Sequence, residues 1–399
     1  VVYALKVRAP LSLIIAILFF VNFRPVFLFN NTLFLTSILA VLLVVFFVFF
    51  GTCKFQKIKS VSFYFFYCSL FLLYFTIYYP IREFDSFSPF FLLSFIMLTM
   101  LLIYPKSFKD SYWHSRKIII LVCYFSNISL ILFSIGIPFP DLLAFNSLDN
   151  GLTYKMYYFS FYATNQVYSF LGFSLYRNSA WFAEPGHFAL LLSFFLFLEV
   201  LCNKNKKIEC LLLVSLLTTL SSAGLIGFFI YLSYKTIRKI KDGDYRFLYI
   251  YLPITAGFLA LYNLNYLDQI FDKFVSLNII DVLNNRAVNP VTIDDIYKGD
   301  TLMGQGRNVI EEFGFRASDF RVYIYKYGMI SLLLFIFCNV LIFLESIRYQ
   351  LVLDALLFIS LVSIVFLHRT WMIDKPYFIY IFSLYFLLMI SNRYEYKNN

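Results

Sequence analysis

Charge is the first thing this sequence is short of. Only 14% of its 399 residues are Asp, Glu, Lys or Arg, 61% are hydrophobic, and the mean hydropathy is +0.76. A water-soluble chain of this length needs far more polar surface to cover its core. The composition therefore excludes an ordinary soluble protein and calls for an apolar solvent, in which only helices or closed barrels satisfy the backbone. Strict alternation is missing too. Strands of a membrane barrel alternate apolar and polar residues over about ten positions, whereas the apolar runs here are unbroken over roughly 14–20 residues. That pattern means helices.

Cysteine is equally sparse: Cys53, Cys68, Cys123, Cys202, Cys210 and Cys338 all lie in or beside apolar runs, and no CxxC occurs. Neither a disulfide framework nor a zinc site is indicated. There is no P-loop, no HExxH, no GxSxG, and no acidic pair placed to hold the metal of a nucleotide sugar. Most apolar runs lack Asp, Glu and Lys at their centres, the places an ion-coupled transporter uses. The chemistry is thus expected in loops, with no cofactor and no metal.

What is abundant is apolar sequence in regular blocks. Runs near 9–23, 32–50, 61–80, 88–104, 118–136, 187–202, 209–221, 223–235, 247–262, 322–344, 350–367 and 376–391 read as twelve spans. The formal charge of +10 does not point to nucleic acid, because the cations fall in short tufts. These are Lys6/Arg8, Lys54/Lys57/Lys59, Lys106/Lys109/Arg116/Lys117, Lys204/Lys206/Lys207, Lys235/Arg238/Lys239/Lys241/Arg246, Arg348 and Arg393/Lys397. They occupy alternate gaps, which places those gaps and both termini in the cytoplasm. The stretch 209–235 preserves this alternation only as two helices broken at Ser221-Ser222-Ala223-Gly224. The first run, after Lys6 and Arg8, lacks a small-residue cleavage site and reads as a signal-anchor helix.

Five spans are expected in 1–136, four in 187–262 and three, with a cytoplasmic tail, in 322–399. Two long outer loops, 137–186 and 263–321, separate them. Loops of this length are usually functional or disordered, and these are too aromatic for disorder. The aromatic stretch Met156 to Tyr162 suits either an interfacial belt or a ligand-stacking surface.

Two loop segments carry candidate chemistry. Arg177, Glu184 and His187 lie within RNSAWFAEPGH, where Pro185-Gly186 turns the chain into a helix. Arginine and histidine beside the free N–H groups of a helix start suit an anion, although an ordinary helix-entry turn with an interfacial salt bridge suits the same residues. The second segment, 299–328, holds Gly304, Gly306, Arg307, Arg316, Asp319 and Arg321. Its Gly-x-Gly is a loop rather than a dinucleotide turn, since no strand precedes it. Its arginines are suited to bidentate recognition of a diphosphate, but long loops also cross a membrane regardless of their charge. His368-Arg369, at the end of a span, reads as a snorkelling anchor.

The stretch Arg177-xxx-Trp181-Phe182-Ala183-Glu184-Pro185-Gly186 followed by a span resembles the R…F.EPG segment of bacterial O-antigen and polysaccharide polymerases of the Wzy type. Leu220 to Gly227 is similar to their serine–glycine helix break. Gly304-Gln305-Gly306, Ser318-Asp319 and Tyr327-Gly328-Met329-Ile330 resemble a later glycine-containing segment. The motif-level likeness covers 175–230 and 300–332, and the Arg-to-Gly spacings are shorter than in some members of that family.

The resemblance implies an all-α integral membrane protein of GT-C-like architecture in the bacterial inner membrane. Its implied substrates are undecaprenyl-diphosphate-linked oligosaccharide repeat units, joined by inverting transfer on the periplasmic face, with an anchored chain-length regulator as partner. Within it, Arg177, Arg307, Arg316 and Arg321 would bind the diphosphate, and Glu184, Asp319 or His187 would serve the acceptor hydroxyl. An O-antigen ligase shares this layout. A lipid-linked oligosaccharide flippase shares the number of spans, but would be expected to have shorter outer loops and a charged central cavity.

Overall fold

The computed structural model describes residues 2–23, 25, 38, 41–42, 105–137, 144–146, 153–157, 160–163, 167–170, 173–182, 184–202, 205–245, 249, 301–305, 320–348, 351–368, 380–381 and 384–385. The expected spans at 61–80 and 88–104 lie outside the described residues, as does nearly all of those at 32–50 and 247–262, and most of those at 376–391 and the loop 263–321.

The described helices are α1 (Val2–Asn22), α2 (Pro105–Ser134), α3 (Pro185–Cys202), α4 (Lys206–Thr218), α5 (Ser222–Lys241), α6 (Phe320–Arg348) and α7 (Val352–His368). Among the described residues three stretches are long and apolar enough to cross a membrane: Lys106–Phe133, Pro185–Cys202 and Phe320–Ile347. At 1.5 Å per residue the shortest of these is about 27 Å long, close to the ~30 Å hydrocarbon thickness. Helix α2 starts well before the apolar run expected at 118–136, because Pro105 suits a first helical position and the helix extends through the basic tuft. Hydropathy alone misses such a polar extension.

The stretch 209–235 is two helices, separated at Thr219–Ser221. Leu220 has φ 45°, a left-handed conformation a helix cannot continue through. The Ser221 hydroxyl then accepts from Gly224 N at 2.9 Å and caps α5.

The described spans are helical, as expected, and the first long loop adds short strands. There β1 (Ala144–Asn146), β2 (Thr153–Tyr157) and β3 (Ser160–Ala163) form an antiparallel sheet in that order. A separate hairpin pairs β4 (Val167–Phe170) with β5 (Phe173–Tyr176). The aromatic stretch from Met156 thus contributes to the β2–β3 pairing, with Met156 opposite Phe161 and Tyr157 opposite Ser160. Short aromatic and β-branched segments favour a pleated surface over a helix. Strand β3 packs on α2, and Tyr176 meets Phe133 edge-on at 4.4 Å.

Helix α3 is the centre of the described bundle. Every residue from Phe188 to Val200 is buried, as expected for a helix that is apolar all round and enclosed by neighbours. It packs against α4, α5 and α7, and its Phe195 approaches Phe19 of α1 and Tyr112 of α2. Ser193 faces Gly227 of α5 so closely that a Cβ at Gly227 would stand 3.2 Å from the Ser193 Cβ. Near its C-terminal end Glu199, 1% exposed, accepts two bonds from Arg116 of α2: Nε to Oε2 at 2.6 Å and Nη2 to Oε1 at 3.0 Å. The paired geometry offsets the desolvation of both charges.

Around the same end of the bundle, Lys235 pairs with Glu209 at 2.6 Å, and the Tyr231 hydroxyl donates to that carboxylate. Tyr234 donates to Asp354 of α7 at 2.5 Å while accepting from Arg238 at 3.0 Å. Glu199→Ala leaves the Arg116 charge without its carboxylate. It should lower stability by about 3 kcal/mol, toward the low end for a broken buried pair because Arg116 is partly exposed. Thermal unfolding of the purified protein checks this: the midpoint should fall clearly for Glu199→Ala and less for Glu199→Gln, and unchanged midpoints would contradict it.

Candidate functional site

Helix α3 begins where the first long loop ends. Pro185 occupies its first position, where the missing N–H was unpaired in any case. The Glu184 carbonyl accepts from His187 N at 3.1 Å and from Phe188 N at 3.4 Å, which closes the first turn. The same turn brings the Glu184 carboxylate to 3.9 Å from His187 Nε2. Glu184 and His187 are both partly exposed there, so one carboxylate and one imidazole share the helix entrance.

The approach to that entrance is held by aromatic packing. Phe182 contacts Phe20 at 5.8 Å and Phe23 at 5.2 Å, stacks on Phe188 at 5.6 Å, and its backbone bridges to Pro25. Trp181 meets Phe20 edge-on at 5.9 Å. These contacts join the turn to the end of α1. Ala180, fully buried, has φ 50°, an unfavourable conformation for an L-residue. Two hydrogen bonds impose it: Ala180 N to Asn178 Oδ1 at 3.1 Å and Phe182 N to Ser179 O at 2.9 Å.

Asn178 is the organising residue that the sequence did not single out. It is 0% exposed, and its backbone N donates to Thr218 O at 3.0 Å. Its amide nitrogen lies 3.0 Å from Thr218 Oγ1, 3.3 Å from Ser126 Oγ and 3.4 Å from Asn127 Oδ1. Asn127 donates in turn to Ser215 at 2.9 Å. One side chain therefore joins the loop, α2 and α4. The available signal was polar: Ser126-Asn127 interrupts an apolar run, and Asn178-Ser179 follows the conspicuous Arg177.

Arg177 reaches the same place. Its Nε donates to the Thr219 carbonyl at 3.3 Å, at the C-terminal end of α4. A cation is favoured there because the last carbonyls of a helix are unpaired and the dipole is negative. Gly224 completes the packing, since a Cβ on it would stand 2.7 Å from Thr219 Oγ1 and 3.0 Å from Ser221 Oγ. The Arg-containing turn bonds Thr219 and Thr218, 42 and 40 residues further on, and Thr219 Oγ1 lies 3.1 Å from Ser221 Oγ of the serine–glycine break.

The second segment is described only in part. Arg321 lies in the first turn of α6 and is 4% exposed; Arg307, Arg316 and Asp319 lie outside the described residues. Gly304, buried with φ 75°, sits against α6 at Gly328. Among the described residues no three His, Cys, Asp or Glu side chains converge as a metal ion requires.

No family model, no curated protein and no solved structure matches the chain.

If Asn178 holds the loop to the break, Asn178→Leu should be costlier than removal of the α5 cap. Leaving its several buried partners unpaired costs about 2–3 kcal/mol, against about 1 kcal/mol for Ser221→Ala. Unfolding midpoints of the two variants in detergent give the order, and the reverse order would refute this role.

Proposed function

We propose that this chain is an O-antigen polymerase-type glycosyltransferase, which joins undecaprenyl-diphosphate-linked repeat units at the outer face of a bacterial inner membrane. In this reading twelve spans of GT-C-like architecture form the scaffold, both termini are cytoplasmic, and the two long loops are periplasmic. The observation that carries it is the contact between Arg177–Asn178 and Thr218–Thr219. It joins the first segment of the family resemblance to the residues immediately before the second, and Thr219 in turn contacts Ser221.

The chemistry follows from where the reaction must occur. Nucleotide sugars and ATP are absent outside the membrane, so the free energy has to arrive with the donor. A sugar linked to a lipid diphosphate supplies it, because diphosphate is a good leaving group. The acceptor hydroxyl oxygen forms the new glycosidic bond as the bond from sugar to diphosphate breaks. The hydroxyl proton passes to a base, and the charge accumulates on the departing diphosphate.

Glu184 or Asp319 takes the proton or orients the acceptor in this scheme. His187, 3.9 Å from the Glu184 carboxylate, would share that task. Arg307 and Arg316 belong to the diphosphate. Arg321, buried in α6, would serve it only if the ligand reaches the top of that helix. Arg177 has two duties. Its Nε donates to the Thr219 carbonyl, and the fork geometry of a guanidinium is what a diphosphate oxygen pair requires.

Deleting the gene and separating the lipopolysaccharide on a gel tests the class. Core carrying a single repeat is expected. Bare core would indicate the ligase or the flippase, and an unchanged ladder would refute all three. Complementing the deletion with Arg177→Ala should abolish long chains at normal protein level. Arg177→Lys should fail likewise if the planar fork matters, and recovery by lysine would mean that charge alone suffices.

A further inference from the structure

Helix α6 is interrupted near its start. Gly328 has φ 75° and ψ 176°, a conformation essentially confined to glycine. Such a residue swings the following N–H groups out of the helical ladder, and unpaired backbone groups are expensive at membrane depth. Here the segment Thr301–Gln305 of the second long loop meets them. Met329 N donates to Thr301 O at 2.9 Å and Ile330 N to Leu302 O at 3.3 Å, while Gln305 N donates to Tyr325 O at 2.8 Å.

The two chains approach so closely that neither has room for a side chain. A Cβ on Gly328 would stand 2.6 Å from the Met303 carbonyl carbon, and a Cβ on Gly304 would stand 2.6 Å from Gly328 N. Both glycines have φ 75°. Lys326 and Tyr327, at the same turn, are in mutual contact, and the Ser331 hydroxyl donates to the Gly328 carbonyl at 2.8 Å.

In an uninterrupted helix Met329 N would pair with Tyr325 O and Ile330 N with Lys326 O. The carbonyl that takes Gln305 N is therefore the one Met329 would use. Docking of the loop strand and continuation of the helix compete for the same backbone groups. We infer that Thr301–Gln305 and the Gly328 turn form a two-state strap, docked on a broken helix or released from a continuous one. A packed element with two alternative sets of backbone bonds switches between discrete arrangements rather than deforming gradually. Gly304 and Gly328 are the residues that permit the docked state. The inference does not depend on the proposed glycosyl transfer.

Amide hydrogen exchange on the full-length protein in nanodiscs, resolved to 301–305 and 329–334, tests it. In the wild type both segments should be protected. Gly328→Ala should speed exchange of Gln305 at least about tenfold, as left-handed strain at a non-glycine residue implies. Met329 and Ile330 should stay protected, because the helix closes over the gap. Gly304→Ala, which leaves the helix sequence intact, should give the same split. Gly243→Ala, at a positive-φ turn with nothing near its missing Cβ, should leave both segments as in the wild type. Loss of protection in both segments would mean a fixed contact with no second state. Continued protection of Gln305 in both strap variants would mean that the glycines are not needed. Either result overturns the inference.

Discussion

A backbone amide or carbonyl has nothing to bond with in hydrocarbon except the protein itself. An unbroken helix meets that requirement internally, and an interrupted one does not. The arrangement of the described residues turns on two interruptions, at Leu220 between α4 and α5 and at Gly328 within α6. Each is repaired by a segment from a long loop. Arg177 and Asn178 bond the carbonyls of Thr219 and Thr218, and Thr301 to Gln305 bond the α6 turn. In this arrangement the loops meet the scaffold at the points where the scaffold would otherwise have unpaired groups. Loop position becomes a consequence of helix chemistry.

Helix α3 connects the two ends of this arrangement. Its entry holds Glu184 and His187, and Arg116 grips Glu199 near its exit. Between them, all-round burial and the Ser193–Gly227 contact leave no space for it to slide or turn. A carboxylate at the entrance of such a helix is held by the whole core rather than by its own loop.

The helices among the described residues were largely legible in the sequence, because continuous apolar runs leave few alternatives to helices in lipid. Pro185-Gly186 marked the start of α3, and the small residues at 221–224 marked the break before α5. The extent of α2 was not legible, since its first turns are polar and Arg116 is stabilised by Glu199, 83 residues away. The strands in the first loop were missed because segments such as Thr153–Tyr157 are short and sit beside a membrane surface where aromatics are common anyway. Of the candidate site, Glu184 and His187 are adjacent at the α3 entry. Arg177 is placed at the break, and Arg321 is buried in α6. Asn178 escaped notice because its importance lies in partners drawn from two other helices, which no local pattern encodes. The pairing of Gly304 with Gly328 is likewise a long-range fact, although each glycine stood out singly.

In the proposed reaction a lipid diphosphate, and not a nucleotide, drives bond formation. The measurement that meets it most directly uses the purified full-length protein in liposomes, supplied only with a lipid-diphosphate-linked oligosaccharide. Saccharide chains of several repeats are expected, with one lipid diphosphate released for each linkage formed. Lipid-linked units that remain single, or that cross the bilayer without any bond being made, would contradict it.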